Sequence, residues 1–148
     1  MKKLIVTLVL ILAPTLFYAQ QEFDKFEDQE GIDVVVINKK MLDLAGEFSL
    51  EFEDKDAEKF AKIAQKMDGI RIFLTKDDKY REEMKSTVKS YLKSNKMDEL
   101  MRVKKEGKEV KVFARQKSSD TLQEMLVFVE GKDKEETVLI SLTGNFEL

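Results

Sequence analysis

"ELMRVKKEGKEVKVFARQKSSDTLQEMLVFVEGKDKEETVLISLTGNFEL", residues 99–148, is one third of the chain and holds four runs of β-forming residues separated by turn chemistry. Residues 99–116 form a hairpin that turns at Glu106-Gly107, because a two-residue turn needs residues that tolerate positive φ. That turn places Met101, Val103, Val110 and Val112 on one face and Arg102, Lys104, Glu109 and Lys111 on the other. A second hairpin joins "TLQEMLVFVEG" to "EETVLISLTGN" through "GKDKE". The apolar runs Met125–Val129 and Val138–Leu142 are nearly unbroken, which predicts central, well-covered strands. Thr143-Gly144-Asn145 reads as a turn that finishes the last strand.

Working back from this meander, periodicity changes to a mixture of helix and strand. "IDVVVIN" (32–38) is a β-branched strand, and Asn38 caps a short helix, "KKMLDLAG", which Gly46 ends. A second helix starts near Asp54 or Asp56. Its Phe60, Ile63, Ala64 and Met67 recur at helical spacing and form the expected buried stripe, with Gly69 just beyond the end. "GIRIFLT" (69–75) is a strand with Ile70, Ile72 and Leu74 on one face. Thr75 or Asp77 then caps a helix to about Ser94, whose Tyr80, Met84, Val88, Tyr91 and Leu92 share one side. The order β-α-α-β-α-β-β-β-β predicts an α+β domain, with a mainly antiparallel sheet of about six strands and helices packed on one face.

The first nineteen residues read as an address. Lys2 and Lys3 precede an apolar run, Leu4–Ala13, and the segment ends in Phe17-Tyr18-Ala19, the plan of a secretory signal peptide cut after Ala19. The run is shorter than the roughly 20 residues a spanning helix needs. Cleavage leaves 24 basic against 29 acidic residues, a net charge of −5. Residues 20–31, "QQEFDKFEDQEG", read as a solvated acidic lead-in with one phenylalanine resting on the domain, and 32–148 as a single domain. The expected location is the periplasm or the medium, with no transmembrane span once the signal is removed.

Composition narrows the chemistry. The chain of 148 residues has no cysteine, histidine or tryptophan. Thiol nucleophiles, disulfides, lipid-anchored cysteines and imidazole-dependent sites are therefore excluded. An acidic exported chain is a poor nucleic-acid binder. Asp54 and Asp56 begin like a calcium loop, but Lys59 and Gln65 stand where the loop needs Gly and Glu, so these acids are helix-start charges. No spacing of glycines makes a phosphate cradle, and no cofactor or metal site is expected. Residues 102–117 carry seven basic and two acidic side chains; Arg102, Lys104, Lys111 and Arg115 are candidate contacts for an anionic partner, or simply the solvent side of a hairpin.

Taken in order, "FDKFEDQEGIDVVVINKKMLDLAG", "AEKFAKIAQKMDGIRIF", "DELMRVKKEGKEVKVFARQ", "LQEMLVFVEG" and "TVLISLTGNFEL" resemble the domain of unknown function 4252 family over roughly residues 23–146. The resemblance implies a small exported or envelope protein of a Gram-negative bacterium and a link to envelope stress, and it brings no catalytic residues. The leading expectation is a non-enzymatic module that binds a protein or envelope component through a sheet face or edge. A carboxylate-dependent glycan hydrolase, which needs two facing acids about 5–9.5 Å apart, and an apolar-ligand carrier are the alternatives.

Overall fold

The structure, a computed structural model, describes residues 18–50, 54–132 and 135–147. Most of the expected signal peptide, residues 1–17, lies outside the described residues. A 3-10 helix (Tyr18–Phe26) leads into β1 (Asp33–Asn38), α1 (Lys39–Leu50), α2 (Lys55–Lys66) and β2 (Met67–Thr75). Then come α3 (Asp78–Ser94), β3 (Asp98–Lys105), β4 (Lys108–Ser118), β5 (Thr121–Glu130) and β6 (Thr137–Glu147). The six strands form one sheet in the order β1-β2-β6-β5-β4-β3, antiparallel at every pairing. The expected α+β order and the six-stranded antiparallel sheet are thus present.

Local chemistry sets the helix starts. Asn38 Oδ1 accepts from the Met41 amide at 3.0 Å, Asp54 Oδ1 from Asp56 at 3.1 Å, and Asp77 Oδ1 from Lys79 at 2.9 Å. Glu106 and Gly107 both take positive φ, 53° and 79°, so the β3–β4 hairpin turns where the sequence places it.

The helix α3 has 17 residues, a length of about 26 Å, and meets β5 at two points, Lys85 at Glu130 and Tyr91 at Glu124. It lays Met84, Val88 and Tyr91 on the inner face of the sheet. There they meet Phe73 of β2, Leu139 of β6, Leu126 and Phe128 of β5 and Phe113 of β4. Phe23 and Phe26 complete this core. Both are fully buried, with the Phe23 ring 4.6 Å from Tyr91 and Phe26 edge-on to Phe73 at 5.9 Å. The acidic segment is therefore anchored by two phenylalanines rather than one, because residues on either side of a 3-10 turn point together into the core.

Three further readings change. Gly46 lies inside α1, where Gly46, Ala61 and Ala64 are buried at the crossing with α2. The small residues let the two helices approach, so Phe60 and Ile63 are turned outward and are about half exposed, while Met67 of the expected stripe is buried at the start of β2. Thr143-Gly144-Asn145 is no turn, since β6 continues to Glu147. Gly144 pairs with Met67, and a Cβ there would come 2.3 Å from the Lys66 carbonyl oxygen. The glycine is needed for backbone approach. As expected, β5 and β6 are central, and α3 lies over one face of them.

Candidate functional site

Two features of the sheet could meet a ligand or partner. The first lies on the inner face, beside the C-terminal end of α3. Strand pairing sets Asn38, Gly69, Thr143, Glu124 and Arg115 in one row across five strands. Glu124 is fully buried. Its Oε1 accepts from the Tyr91 hydroxyl at 2.5 Å and its Oε2 from Arg115 Nη2 at 3.0 Å. Burial raises the Glu124 carboxyl above the usual range, against the opposing pull of Tyr91 and Arg115. Burial, followed by the Glu124 charge, raises the Tyr91 hydroxyl as well, so the tyrosine stays protonated and donates.

Above this row opens a recess of about 560 Å³. Arg71, Arg115, Lys117, Ser141, Thr143 and Asn145 contribute to its lining, and Asp68 is its one acidic member. Arg71 is held by Asp24 Oδ1 at 2.6 Å and Glu27 Oε1 at 3.2 Å, while Lys117 Nζ donates to Asn145 Oδ1 at 3.3 Å. The Nε of Arg115 is buried without a hydrogen-bond partner among the described residues. Most of the charge in the recess is therefore already matched by the chain's own acids.

The sequence-derived basic candidates lie on the same inner face, toward the β3–β4 edge. Arg102 bonds Glu99 at 2.7 Å and lies 3.9 Å from Glu109, which is also 3.9 Å from Lys111. Arg115 is committed to Glu124, and Lys104 stands opposite Glu109 in the β3–β4 pairing. The four do not converge on one point: Arg115 belongs to the recess, and the others line the hairpin.

The second feature is the outer face. Reading the pairings across the sheet gives three rows of six side chains. One runs Asp33, Leu74, Val138, Val129, Val110, Val103; the next Val35, Ile72, Ile140, Val127, Val112, Met101; the last Ile37, Ile70, Leu142, Met125, Ala114, Asp98. Sixteen of these eighteen positions are apolar, and the two exceptions stand at diagonally opposite corners. On the edge strands Val35, Met101 and Val103 are 46%, 48% and 45% exposed. Among the described residues, α3 and the 3-10 helix pack on the inner face, α1 and α2 pack chiefly against each other, and every apolar side chain of the three rows except Ala114 keeps partial or full exposure. Soluble monomers seldom show an apolar patch of more than a few hundred Å².

The sequence places Ile70, Ile72 and Leu74 together, and Met101, Val103, Val110 and Val112 together, and both sets fall on this face; to the nearly continuous apolar runs of β5 and β6 it assigns no face. A usable signal was present. Only one helix, α3, has the length and apolar side to roof a six-stranded sheet, and a single roof leaves the second apolar face open.

The chain matches the family described as Domain of unknown function (DUF4252) over residues 26–148. The chain belongs to this family. No curated protein and no solved structure matches it. For this DUF4252 chain the argument about function therefore rests on its own surface. Among the described residues no helix is long and apolar enough to cross a membrane.

Proposed function

We propose that this chain is an exported, non-enzymatic binding module whose outer sheet face docks a partner protein. The observation that carries the reading is the outer field of sixteen apolar side chains, all but Ala114 at least partly exposed, spanning all six strands. Exposed valine, isoleucine and leucine at that density are unfavourable in water, at about 25 cal/mol for each Å². A partner surface removes that cost. The inner-face recess supports the non-enzymatic part, since Asp68 is its one lining carboxylate and the neighbouring Glu124 is wholly removed from solvent. A general acid or base must reach its substrate.

A photo-crosslinking residue placed at Val127, in the middle of the face, tests docking in intact cells, with Lys89 on the solvent side of α3 as the control. Protein adducts are expected from position 127 alone; equal adducts from both positions, or none, refute docking. Export is checked by the mass of the protein recovered from the periplasm or medium, which should lack residues 1–19. Full-length chain confined to the cytoplasm refutes it.

A further inference from the structure

We infer that the occupant of the outer face is a second copy of this chain, the two sheets stacking face to face with their helices outside. The inference rests on the reading of that face as a docking surface and names what docks there.

Size is the first argument. Five strand spacings and three side-chain rows give a footprint of about 24 by 20 Å, or roughly 700 Å² of accessible surface once side-chain relief is included. A stable interface takes about 800 Å² from each partner. One copy of this face therefore supplies close to a full half-interface without help from any other part of the molecule.

Shape is the second. A helix is only about 10 Å across, so a single helix from another protein would leave half of the face wet. A twisted six-stranded sheet is matched in width and curvature by an equal sheet, and two such faces pack about 10 Å apart with their strands within about 30° of each other. The short β-branched side chains that dominate the three rows suit that spacing.

Chemistry is the third. Within the three rows no side chain can donate or accept a hydrogen bond except the corner acids Asp33 and Asp98. A chemically distinct partner would have almost nothing polar to recognise, whereas a self-complementary apolar field needs only registration at its rim. Lys105 and Lys108 pair with each other just beyond Val103 and Val110 and so stand on the outer side at the β3–β4 corner. With the twofold axis parallel to the strands, β1 of one copy lies over β3 of the other. Asp33 then falls over Lys105 and Lys108 of the second copy, and symmetry makes the contact twice.

The test is the solution mass of the purified chain at micromolar concentration, by sedimentation and light scattering. Wild type is expected at twice the mass of one chain. Val127→Lys should give a monomer with an unchanged far-ultraviolet spectrum, because the side chain is already partly in water, and Lys89→Glu should remain dimeric. Asp33→Lys should loosen the dimer, and adding Lys105→Glu and Lys108→Glu should restore it. A monomeric wild type, a Val127→Lys variant that stays dimeric, or a charge exchange that restores nothing overturns the inference. A monomeric wild type that still crosslinks a different protein through position 127 overturns the second copy and leaves the docking reading standing. One that instead partitions onto phospholipid vesicles, with no protein adduct, overturns both.

Discussion

Phe23→Ala and Phe60→Ala remove the same atoms from two positions whose roles the structure separates sharply. Phe23 is fully buried in the aromatic cluster, with the Tyr91 ring centroid at 4.6 Å, Phe73 at 6.3 Å and the Arg71 guanidinium 6.0 Å from its own. Truncating a buried phenylalanine costs about 3–5 kcal/mol through lost transfer energy and the cavity left behind. The Tyr91 contact adds about 0.5–1.5 kcal/mol to the upper part of that range. Phe60 is 51% exposed on α2. Its truncation loses little burial, and alanine's better helix propensity offsets about 0.5 kcal/mol of that loss. The expected result in urea unfolding is a loss of about 4 kcal/mol for Phe23→Ala and under about 1 kcal/mol for Phe60→Ala. Since a domain of this kind has only about 5–15 kcal/mol in total, the first variant should be near its unfolding threshold at physiological temperature. Equal losses at the two positions, or a Phe23→Ala loss under about 1 kcal/mol, would refute the anchored 3-10 segment and restore the solvated lead-in.

Gly144→Ala should destabilise by at least about 1–3 kcal/mol in thermal unfolding, because its Cβ would meet the Lys66 carbonyl oxygen at 2.3 Å and the Met67 Cα at 2.8 Å. For Glu124, burial raises the folded-state pKa, so its stabilising contribution is complete below the unfolded pKa and declines as pH climbs through the folded value. Denaturation of wild type and Glu124→Gln from about pH 4 to pH 8 should therefore show wild type losing ground to the variant as pH rises; a widening advantage contradicts the assignment. Glu106→Asn should stabilise the β3–β4 hairpin by up to about 1 kcal/mol, since asparagine tolerates φ of 53° better than glutamate does.

The local parts of the fold were legible in the sequence because short-range chemistry sets them. Asn38, Asp54 and Asp77 cap helices through side chains that bond amides two or three residues away. The Glu106-Gly107 turn fixes the register between β3 and β4, and with it the faces on which Met101 and Arg102 fall. The buried Tyr91–Glu124–Arg115 contact was not legible. Glu124 stands between Gln123 and Met125 with nothing local to mark it, and its tyrosine partner arrives from 33 positions away on another element.

What the sequence alone determined is the order and type of the elements, for alternation and helical spacing are properties of neighbours along the chain. Tertiary structure decided the rest. It placed β6 between β2 and β5, turned Phe60 out and Phe23 in, and made Gly144 a crossing point instead of a turn. Above all it chose which apolar set would be roofed. In β5, Leu126 and Phe128 on one side and Met125, Val127 and Val129 on the other are equally suited to a core by composition. The physical reason is supply. A strand offers two faces, the chain contributes one long helix and a short 3-10 segment to cover them, and only packing in three dimensions settles which face is left open.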